Sequence, residues 1–373
     1  MQRVIRCGTL LILTLGGGRL ASAQEHTTIG GYGEVQFVDS SGPATRPRVD
    51  VRRFVVYLAH TFTDELALRS ELEIEDAKVE PAGSAGEVGV EQVFLDDRLA
   101  DWFTLRTGLL LVPVGMINET HEPPTFNGVA RPAFDQDLIP TTWREVGIGA
   151  VGTIPGGSGL AYRVYLMNGL RAAGFSAAGG IREGSGEGQN ASFANPSVTG
   201  RLEWARPGLK VGASLWYGGT ANNDSVLGLG TFAAPVTVEA ADVRYDVGAV
   251  SVRGEVANIS LPDAGVIDAR YGSAIGSRLA GGYGEAALNL LHLFMPTSSQ
   301  QLTLFLRHER YDMQANVPAG ITRDRSLARQ ITTFGVTYKP TWNTAFKGDY
   351  QLLRNAGGVG EREVLSLGLG FQF

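Results

Sequence analysis

The chain ends in Leu365-Ser366-Leu367-Gly368-Leu369-Gly370-Phe371-Gln372-Phe373. Leucine or phenylalanine occupies every odd position of this stretch, whereas serine, glycine or glutamine occupies every even one. Successive side chains of a β-strand point to opposite faces of the sheet. The alternation therefore predicts a strand with one apolar face and one polar face.

The same alternation recurs along nearly the whole chain. In residues 208–218, for example, Val211 and Leu215 share one face, while Lys210 and Ser214 share the other. Sixteen segments follow this pattern: residues 27–38, 48–61, 66–79, 87–98, 102–112, 143–154, 159–169, 196–206, 208–218, 235–246, 249–260, 277–293, 300–311, 327–339, 342–353 and 362–373. The sequence therefore predicts an all-β fold.

Composition excludes the main helical alternatives. The chain has 50 glycines and 43% hydrophobic residues. It contains no apolar run near the roughly 20 residues that a membrane-spanning helix needs. It also lacks the sustained 3.6-residue periodicity of soluble helical domains. Glycine in strands instead marks turns, kinks and bulges, which agrees with β structure.

The connections between predicted strands alternate in length. Short turns such as 206–208 and 339–341 are separated by long polar connections at 113–142, 170–195, 219–234, 261–276 and 312–326. A soluble β-sandwich has no reason to keep this parity, but an up-and-down membrane barrel does, because its periplasmic turns are short and its outer loops long. In lipid every backbone N–H and C=O must find an internal partner, so the sheet must close. We predict a transmembrane antiparallel β-barrel of about 16 strands.

The N-terminus has the features of an export signal. Arg3 and Arg6 precede a short apolar run, and Ala21-Ser22-Ala23 forms a small-residue cleavage site. We therefore predict that residues 1–23 are a cleaved signal peptide and that residues 24–373 form one barrel domain in the bacterial outer membrane. A terminal phenylalanine in phase with outward leucines also resembles the C-terminal signature of bacterial outer-membrane proteins.

The predicted mature chain has no cysteine, because Cys7 is the only one in the sequence. It therefore has neither a disulfide framework nor a cysteine-based metal site. Removing the three arginines of the leader from the 32 basic side chains leaves 29, against 38 acidic ones. This acidic balance disfavours nucleic acid as a partner.

Alternation assigns many charged residues to the inward face. Ten are basic, and the first seven are the candidates for the lumen wall: Arg53, Arg69, Arg106, Arg163, Arg201, Lys210, Arg253, Arg307, Arg329 and Lys347. Twelve are acidic: Glu34, Glu71, Glu73, Glu75, Glu91, Glu145, Glu203, Glu239, Glu255, Glu285, Glu309 and Asp349. An Arg or Lys that faces lipid at mid-depth costs about 2–4 kcal/mol. A hydrated lumen is therefore the simplest environment for these charges. Each charge could either pair within the wall or contact a solute.

The connection after the fifth predicted strand differs from the others. Residues 112–143 contain five prolines and large apolar residues such as Ile117, Phe126 and Phe134. A segment of this length with large apolar residues is expected to be ordered, because those residues favour burial. We expect it to fold into the lumen and narrow it, with an outer cap over the mouth as the alternative. The constriction candidates are Glu119, His121, Glu122, Arg131, Asp135, Asp137, Arg144 and Glu145.

No motif predicts an enzyme. Glu119, His121 and Glu122 resemble a metal site only loosely, and no second histidine is near, so a polar turn is the better interpretation. The sequence has no G-x-S-x-G elbow and no P-loop. We therefore expect no catalytic, cofactor or metal site, although a barrel-embedded hydrolase would depend on spatial proximity that a sequence does not reveal.

With these residues in view, the chain resembles the phosphate-selective porin O and P family. The resemblance rests on Gly30-Gly31-Tyr32-Gly33-Glu34, Arg52-Arg53, Arg106-Thr107-Gly108 and Val112-Pro113-Val114-Gly115, and on 118–124 with 139–145. It implies a sixteen-strand homotrimeric porin whose third outer loop folds into the lumen. It does not imply phosphate selectivity, because residues 112–143 contain no lysine and Arg131 is their only basic residue.

The favoured function is therefore an outer-membrane porin, surrounded by lipid, through which small hydrophilic solutes or ions diffuse passively. Its selectivity is left unspecified. The alternative is a barrel with a plugged lumen that acts as an adhesin or structural anchor through its extracellular loops. A soluble secreted β-sandwich is a further alternative that lack of membrane partitioning would favour.

Overall fold

The computed structural model describes residues 26–42, 46–75, 87–156, 159–189, 191–226 and 230–373. Within these residues, sixteen antiparallel strands pair in chain order, and the last pairs with the first to close a barrel. The strands are β1 His26–Ser40, β2 Arg48–Thr61, β3 Leu66–Glu75, β4 Glu87–Ala100, β5 Phe103–Leu111, β6 Arg144–Thr153, β7 Leu160–Met167, β8 Ser197–Arg206, β9 Leu209–Gly219, β10 Pro235–Val247, β11 Val250–Ser260, β12 Arg278–Asn289, β13 Gln301–Asn316, β14 Ala328–Thr341, β15 Thr344–Asn355 and β16 Arg362–Gln372. The predicted signal peptide, residues 1–23, lies outside the described residues.

The prediction of a closed barrel of about sixteen antiparallel strands is confirmed, and each predicted segment overlaps one observed strand. The predicted strand 277–293 is too long at its C-terminal end. There β12 ends at Asn289, and a short helix, Leu290–Phe294, follows. The run Leu290-Leu291-His292-Leu293-Phe294 has no period-2 alternation, so it cannot keep one apolar and one polar face in a sheet.

Short helices lie in the connections. They are α1 Phe134–Asp137, α2 Ala264–Tyr271 and α3 Leu290–Phe294, with 3₁₀ turns at Pro123–Thr125, Ala172–Gly174, Arg182–Gly184 and Arg325–Leu327. Two-residue strands at Ser225–Val226 and Gly230–Thr231 pair with each other outside the barrel sheet. In the described part of the chain, no helix is long and apolar enough to cross a membrane.

The two faces of the strands differ as the alternation predicts. On β16, Leu365 and Leu367 are exposed, whereas Ser366 is buried. On β9, Leu215 is exposed and Trp216 is fully buried. The barrel therefore presents apolar side chains outward and turns its polar face inward, the arrangement expected of a sheet with lipid outside and water within.

One inward assignment is wrong. Glu239 is exposed on the outward face, because its neighbours Val238 and Ala240 belong to the buried apolar cluster. It accepts a hydrogen bond from Asn258 Nδ2 at 3.2 Å, and the Asn258 Oδ1 atom accepts one from Arg278 Nε at 2.7 Å. Glu239 lies near the start of β10, at the rim, where these two polar partners lie on adjacent strands.

The main apolar cluster joins inward side chains of the wall to residues of the connections. It combines inward side chains such as Trp216 and Val238 with Phe134, Phe175 and Ile267 from three long connections. The connections therefore fold against the wall and bury their apolar residues there. Burial of one such side chain contributes about 1.5–3 kcal/mol.

The barrel closes where the two ends of the chain meet. Gly31 N–H donates to the Phe373 carbonyl at 2.9 Å, and Phe373 N–H donates to the Gly31 carbonyl at 2.8 Å. A Cβ atom at Gly31 would lie 2.2 Å from the Val55 carbonyl oxygen and 3.0 Å from the Phe373 ring. At Gly33 it would lie 2.8 Å from the Phe371 ring. The closing pair of strands therefore needs glycine where the two terminal aromatic rings cover the backbone.

We expect Gly31→Ala to weaken this closure by about 1–3 kcal/mol, the usual cost of overpacking. Gly284→Ala is the matched control, because a Cβ at that strand glycine meets nothing within 4 Å. The measurement is the temperature at which the refolded barrel loses its heat-resistant gel mobility. Equal unfolding temperatures for the two variants would contradict the proposed role of Gly31.

Candidate functional site

The long connection between β5 and β6, residues 112–143, is held at its base by one buried side chain. Asn118 Nδ2 donates to the carbonyls of Val112 at 2.7 Å and Trp143 at 3.0 Å. Asn118 Oδ1 accepts from Trp143 N–H at 3.0 Å, and Val112 N–H donates to the Trp143 carbonyl at 2.9 Å. Both ends of the segment are thereby tied together as a continuation of the β5–β6 pair.

The apolar residues of the 112–143 segment are buried, as the sequence predicts. Ile117, Phe126, Phe134 and Leu138 are each 3% exposed or less. The Phe134 ring packs at 5.7 Å from that of Tyr283, measured between centroids, on the inward face of β12. These residues anchor the segment against the polar face of the barrel, where they share a cluster with wall residues.

Basic residues of the wall bind a run of carbonyl groups in the segment. Lys347 Nζ donates to the carbonyls of Pro123 at 2.5 Å and Phe126 at 2.9 Å. Lys339 Nζ donates to the Pro124 carbonyl at 2.6 Å, and Arg253 donates to that of Thr125 at 3.0 Å. Four consecutive carbonyls, 123–126, are thus satisfied by cations from three strands, β11, β14 and β15. Prolines 123 and 124 leave two of these residues without an N–H to donate in return.

Acidic residues of the wall bind donor groups of the same segment. Each contact is a hydrogen bond to a carboxylate, a class that contributes about 1.5–3 kcal/mol. The contacts are Met116 N–H to Glu255 at 3.3 Å, Asn127 Nδ2 to Glu285 at 2.9 Å, Val129 N–H to Asp349 at 2.6 Å and Phe134 N–H to Glu309 at 2.8 Å. Three of these four contacts are made by backbone N–H groups of the segment. The position of the segment therefore depends on the positions of the acidic wall side chains.

Several predicted constriction residues contact the opposite part of the wall. Glu119 forms an ion pair with Arg163 Nε at 3.1 Å. Glu122 accepts a hydrogen bond from the Tyr57 hydroxyl at 3.4 Å. His121 Nε2 lies 3.3 Å from Glu91 Oε1. The segment therefore contacts inward side chains of β2, β4 and β7 as well as those of β11 to β15.

Three other predicted residues are engaged in separate contacts. Asp137 accepts a hydrogen bond from the Tyr311 hydroxyl at 2.5 Å and forms an ion pair with Arg329. Arg144 pairs with Glu187 of a later connection at 2.7 Å. Glu145 accepts hydrogen bonds from Trp143 Nε1 at 3.1 Å and Asn168 Nδ2 at 2.5 Å. The structure thus does not bring all eight predicted residues into one ring.

Arg131 differs from the other charged residues of the segment. It forms no ion pair with any described residue, and its Nε donates to the His121 carbonyl at 3.3 Å. It lines a cavity of about 310 Å³ between the segment and β1 to β4, together with Glu34 and Arg53. Burial, and then the nearby Arg53 cation, lower the pKa of the Arg131 guanidinium. Arginine nevertheless stays charged at any ordinary pH.

Each of the seven predicted wall cations has a partner. Arg53 is bound by Glu34 at 2.8 Å, Glu73 at 3.1 Å and Glu75 at 3.5 Å. The others bind Asp96 (Arg69 at 3.7 Å, Arg106 at 2.7 Å), Glu119 (Arg163), Asp242 (Arg201 at 2.6 Å), Glu203 (Lys210 at 3.6 Å) and the Thr125 carbonyl (Arg253). The Arg69 and Lys210 side chains are more than half exposed, and exposed pairs contribute little.

The residues that hold the segment are not identifiable from the sequence alone. Alternation places Lys347, Glu255, Glu309 and Asp349 on the inward face but does not say what they contact. Lys339 was not assigned, although its odd-numbered position continues the inward face of Thr333 and Thr337. Only the closed barrel brings these side chains within reach of residues more than 100 positions away in the chain.

Asp135 is the most unusual acid of the segment. It is fully buried, and its carboxyl group lies beside the Tyr283 hydroxyl and the Glu255 carboxyl group without a hydrogen bond of good geometry to any described residue. Burial raises the pKa of the Asp135 carboxyl well above its usual range, and the neighbouring carboxylates of Glu255 and Glu309 raise it further. The folded site therefore favours the neutral form of this side chain.

We expect Asp135→Asn to stabilise the barrel by about 1–3 kcal/mol at pH 8, because the amide does not ionise and its Nδ2 group can donate to the neighbouring carboxylates of Glu255 and Glu309. The pKa of Asp135 is raised on folding, so its protonation favours the folded state. That stabilisation is complete below the unfolded-state pKa of about 3.9 and is lost as pH rises through the folded-state pKa. The increase in stability that Asp135→Asn produces should therefore be smaller at pH 4 than at pH 8.

The measurement is the unfolding temperature at the two pH values. Asp137→Asn is the contrasting variant, because it loses the ion pair with Arg329 and should lower the unfolding temperature at both. A destabilised Asp135→Asn protein at pH 8 would contradict the assignment of a neutral carboxyl group.

Solved outer-membrane proteins share this fold. OmpF of Salmonella typhi, in complex with daunomycin, superposes with a TM-score of 0.61 at 14% identity over 93% of this chain and 97% of that one. A loop L8 deletion mutant of OmpT, an outer membrane protein of Vibrio cholerae, gives 0.57 at 10% identity over 94% and 99%. A mutant of the Rh. blastica porin gives 0.51 at 14% identity over 93% and 100%. At these identities the likeness establishes the porin fold alone.

One relative is similar in sequence as well. No protein-family model matches the chain. A protein of Aquifex aeolicus (strain VF5), described as an uncharacterized protein, is 34% identical over 340 residues, which cover 89% of this chain and 77% of the relative. At this identity and coverage, the chain belongs to the family of the Aquifex aeolicus protein, and its fold is that of the outer-membrane porins.

Proposed function

We propose that the protein is an outer-membrane porin, a water-filled channel for passive diffusion of small hydrophilic solutes or ions. The observation that carries the proposal is the sorting of side chains on a closed sixteen-strand barrel: apolar groups face outward and charged groups face inward. A barrel of this strand number is wide enough to leave an aqueous interior. The channel needs no cofactor, and no enzymatic step is part of the proposal.

The 112–143 segment is proposed to fold into the lumen and form the constriction. Its contacts support this position, because it binds inward side chains on opposite parts of the wall, from β7 at Glu119 to β15 at Phe126. The alternative of an outer cap would leave those wall groups facing water. The cavity beside Arg131 is then one of the spaces between the segment and the wall.

Selectivity is proposed to depend on a mixed set of charges. The cavity between the segment and β1 to β4 is lined by both signs, with Glu34, Glu73 and Glu75 around Arg53 and with Arg131 opposite. The lysines near the segment, Lys339 and Lys347, bind backbone carbonyls. We therefore propose a divergent branch of the phosphate-selective porin O and P family, in line with the resemblance of residues 106–149, without assigning phosphate as its solute.

We further propose that the barrel assembles as a homotrimer in the outer membrane after export by the predicted leader, residues 1–23. The fold likeness includes a trimer form of OmpT of Vibrio cholerae, which superposes with a TM-score of 0.53 at 11% identity over 94% of this chain and 99% of that one. Cross-linking of the refolded protein in detergent would report three chains per particle.

Planar-bilayer recording tests the channel. We expect the purified protein to insert with stepwise conductance, and we expect a variant in which residues 113–142 are replaced by a short glycine–serine linker to conduct more per step. If the wild-type barrel does not conduct but the variant does, the result would favour the alternative of an adhesin or anchor with a plugged lumen. A folded barrel that never conducts in either form would refute the porin proposal.

Charge at the constriction is tested by Arg131→Glu. Because this cation lacks an ion-pair partner among the described residues, we expect its reversal to shift the reversal potential under a salt gradient toward cation preference. Arg131→Lys is the matched control, since it keeps the charge and should leave the reversal potential unchanged. If both variants match the wild type, Arg131 is not near the path of the ions.

A further inference from the structure

The structure gathers three potential metal ligands where the 112–143 segment meets the wall. Glu71 of β3, Glu91 of β4 and His121 of the segment each offer one ligand atom, and these atoms lie within 4.8 Å of one another. Glu91 is 0% exposed and His121 is 3% exposed, while Glu71 is partly buried. Two strands and a distant segment are therefore needed to assemble the cluster.

Glu91 supplies the observation that points to a ligand. Its Oε1 atom is buried and accepts no hydrogen bond from the described residues, although it lies 3.3 Å from His121 Nε2. A direct charge-assisted hydrogen bond would bring these atoms to about 2.7–2.9 Å. Two ligands bound tetrahedrally at about 2.0–2.2 Å from one zinc ion are instead separated by about 3.4 Å. A separation of 3.3 Å fits two groups that share an ion and equally an ion pair between Glu91 and a protonated His121, and the zinc titration described below distinguishes the two.

The imidazole of His121 is oriented for such a role. Its Nδ1 atom lies 2.9 Å from the carbonyl oxygen of Asn118, to which a protonated Nδ1 donates. This bond directs Nε2, with its lone pair, toward the two carboxylates, which is how metal-binding histidines are usually held. Asn118 is itself fixed by three hydrogen bonds at the base of the segment. The ring position is therefore set by the fold.

The remaining neighbours leave the ligand positions available. Glu71 Oε1 accepts a hydrogen bond from Gln92 Nε2 at 2.5 Å, which leaves the second oxygen of Glu71 for an ion. The Tyr32 hydroxyl donates toward Glu91 Oε2 at 3.3 Å and lies 3.1 Å from His121 Nε2, so it can hold an adjacent water or ligand. Arg131 reaches only the backbone carbonyl of His121, at 3.3 Å.

The donor set identifies the class of metal. An imidazole nitrogen favours zinc and other transition metals over calcium and magnesium, and zinc also accepts carboxylate oxygens as ligands. Calcium takes six to eight oxygen ligands, and magnesium keeps an octahedral shell of oxygens with several waters. The two carboxylate charges also balance those of a divalent cation.

We propose that Glu71, Glu91 and His121 bind one zinc ion, which fastens the 112–143 segment to β3 and β4. The ion would connect the middle of the segment to the part of the wall opposite Glu255 and Glu285, which bind the segment from β11 and β12. The site does not depend on ion conduction, so it holds whether or not the barrel is an open channel.

The test uses the full-length protein refolded in detergent without a histidine tag and stripped with a chelator. Titration calorimetry and metal analysis should find one zinc ion per chain. His121→Gln and Glu91→Gln should each lower zinc affinity by more than the roughly 10- to 100-fold typical of losing an outer-shell partner. Glu119→Gln is the matched control, because it removes a carboxylate of the same segment that pairs with Arg163 instead.

A second readout separates loss of the site from loss of the fold. Glu71→Gln changes only a partly buried carboxylate to an amide of the same shape, so its barrel should keep its heat resistance without zinc. Zinc should raise the unfolding temperature of the wild type and of Glu119→Gln but not of the three ligand variants. X-ray absorption of the zinc-loaded protein should report one nitrogen donor and at least two oxygen donors.

Two results would overturn the proposal. One is a wild-type protein that takes up no stoichiometric zinc, which would leave His121 and Glu91 as a simple ion pair. The other is equal zinc binding by the wild type and by folded Glu71→Gln, Glu91→Gln and His121→Gln proteins, which would locate the ion elsewhere.

Discussion

Closure of the sheet is the constraint on which everything else in this molecule depends. A strand edge in lipid would leave a row of unpaired N–H and C=O groups, each costing several kcal/mol. The reciprocal hydrogen bonds between Gly31 and Phe373 remove that edge by joining the first strand to the last. Once the sheet is closed, the period-2 alternation places apolar residues on the outer face. The residues between them then face a common interior.

That interior is then filled according to charge. Most inward cations have acidic partners, as in Arg307, which lies between Glu285 at 3.4 Å and Glu309 at 3.0 Å. The 112–143 segment is bound by charged wall residues through both its carbonyl and its N–H groups, and Glu285 and Glu309 bind the segment as well as Arg307. Removing one member of a buried pair leaves an uncompensated charge, which is strongly destabilising. The segment and the wall are therefore interdependent, and this coupling is why His121 can meet Glu91.

Much of the fold could be predicted from residue order, because alternation is a local property. All sixteen strands, the antiparallel closure and the burial of Ile117, Phe126 and Phe134 follow from patterns within about 30 residues. The errors have local causes too. A charged residue within an alternating segment is expected to face inward, and Glu239 is assigned on that basis. In the structure its neighbours Val238 and Ala240 face inward, so Glu239 faces outward. The run at 290–294 has no alternation and leaves the sheet as a short helix.

What the sequence by itself determined is the class of fold, the face on which most side chains lie and the presence of an anchored segment after the fifth strand. Only the tertiary structure decided which charges meet. Lys347 contacts the carbonyl of Pro123, 224 positions away, and Glu91 on β4 meets His121, which lies in the connection after β5. The distance between two side chains across a closed barrel depends on strand number, tilt and register together. None of these can be predicted from a single stretch of residues.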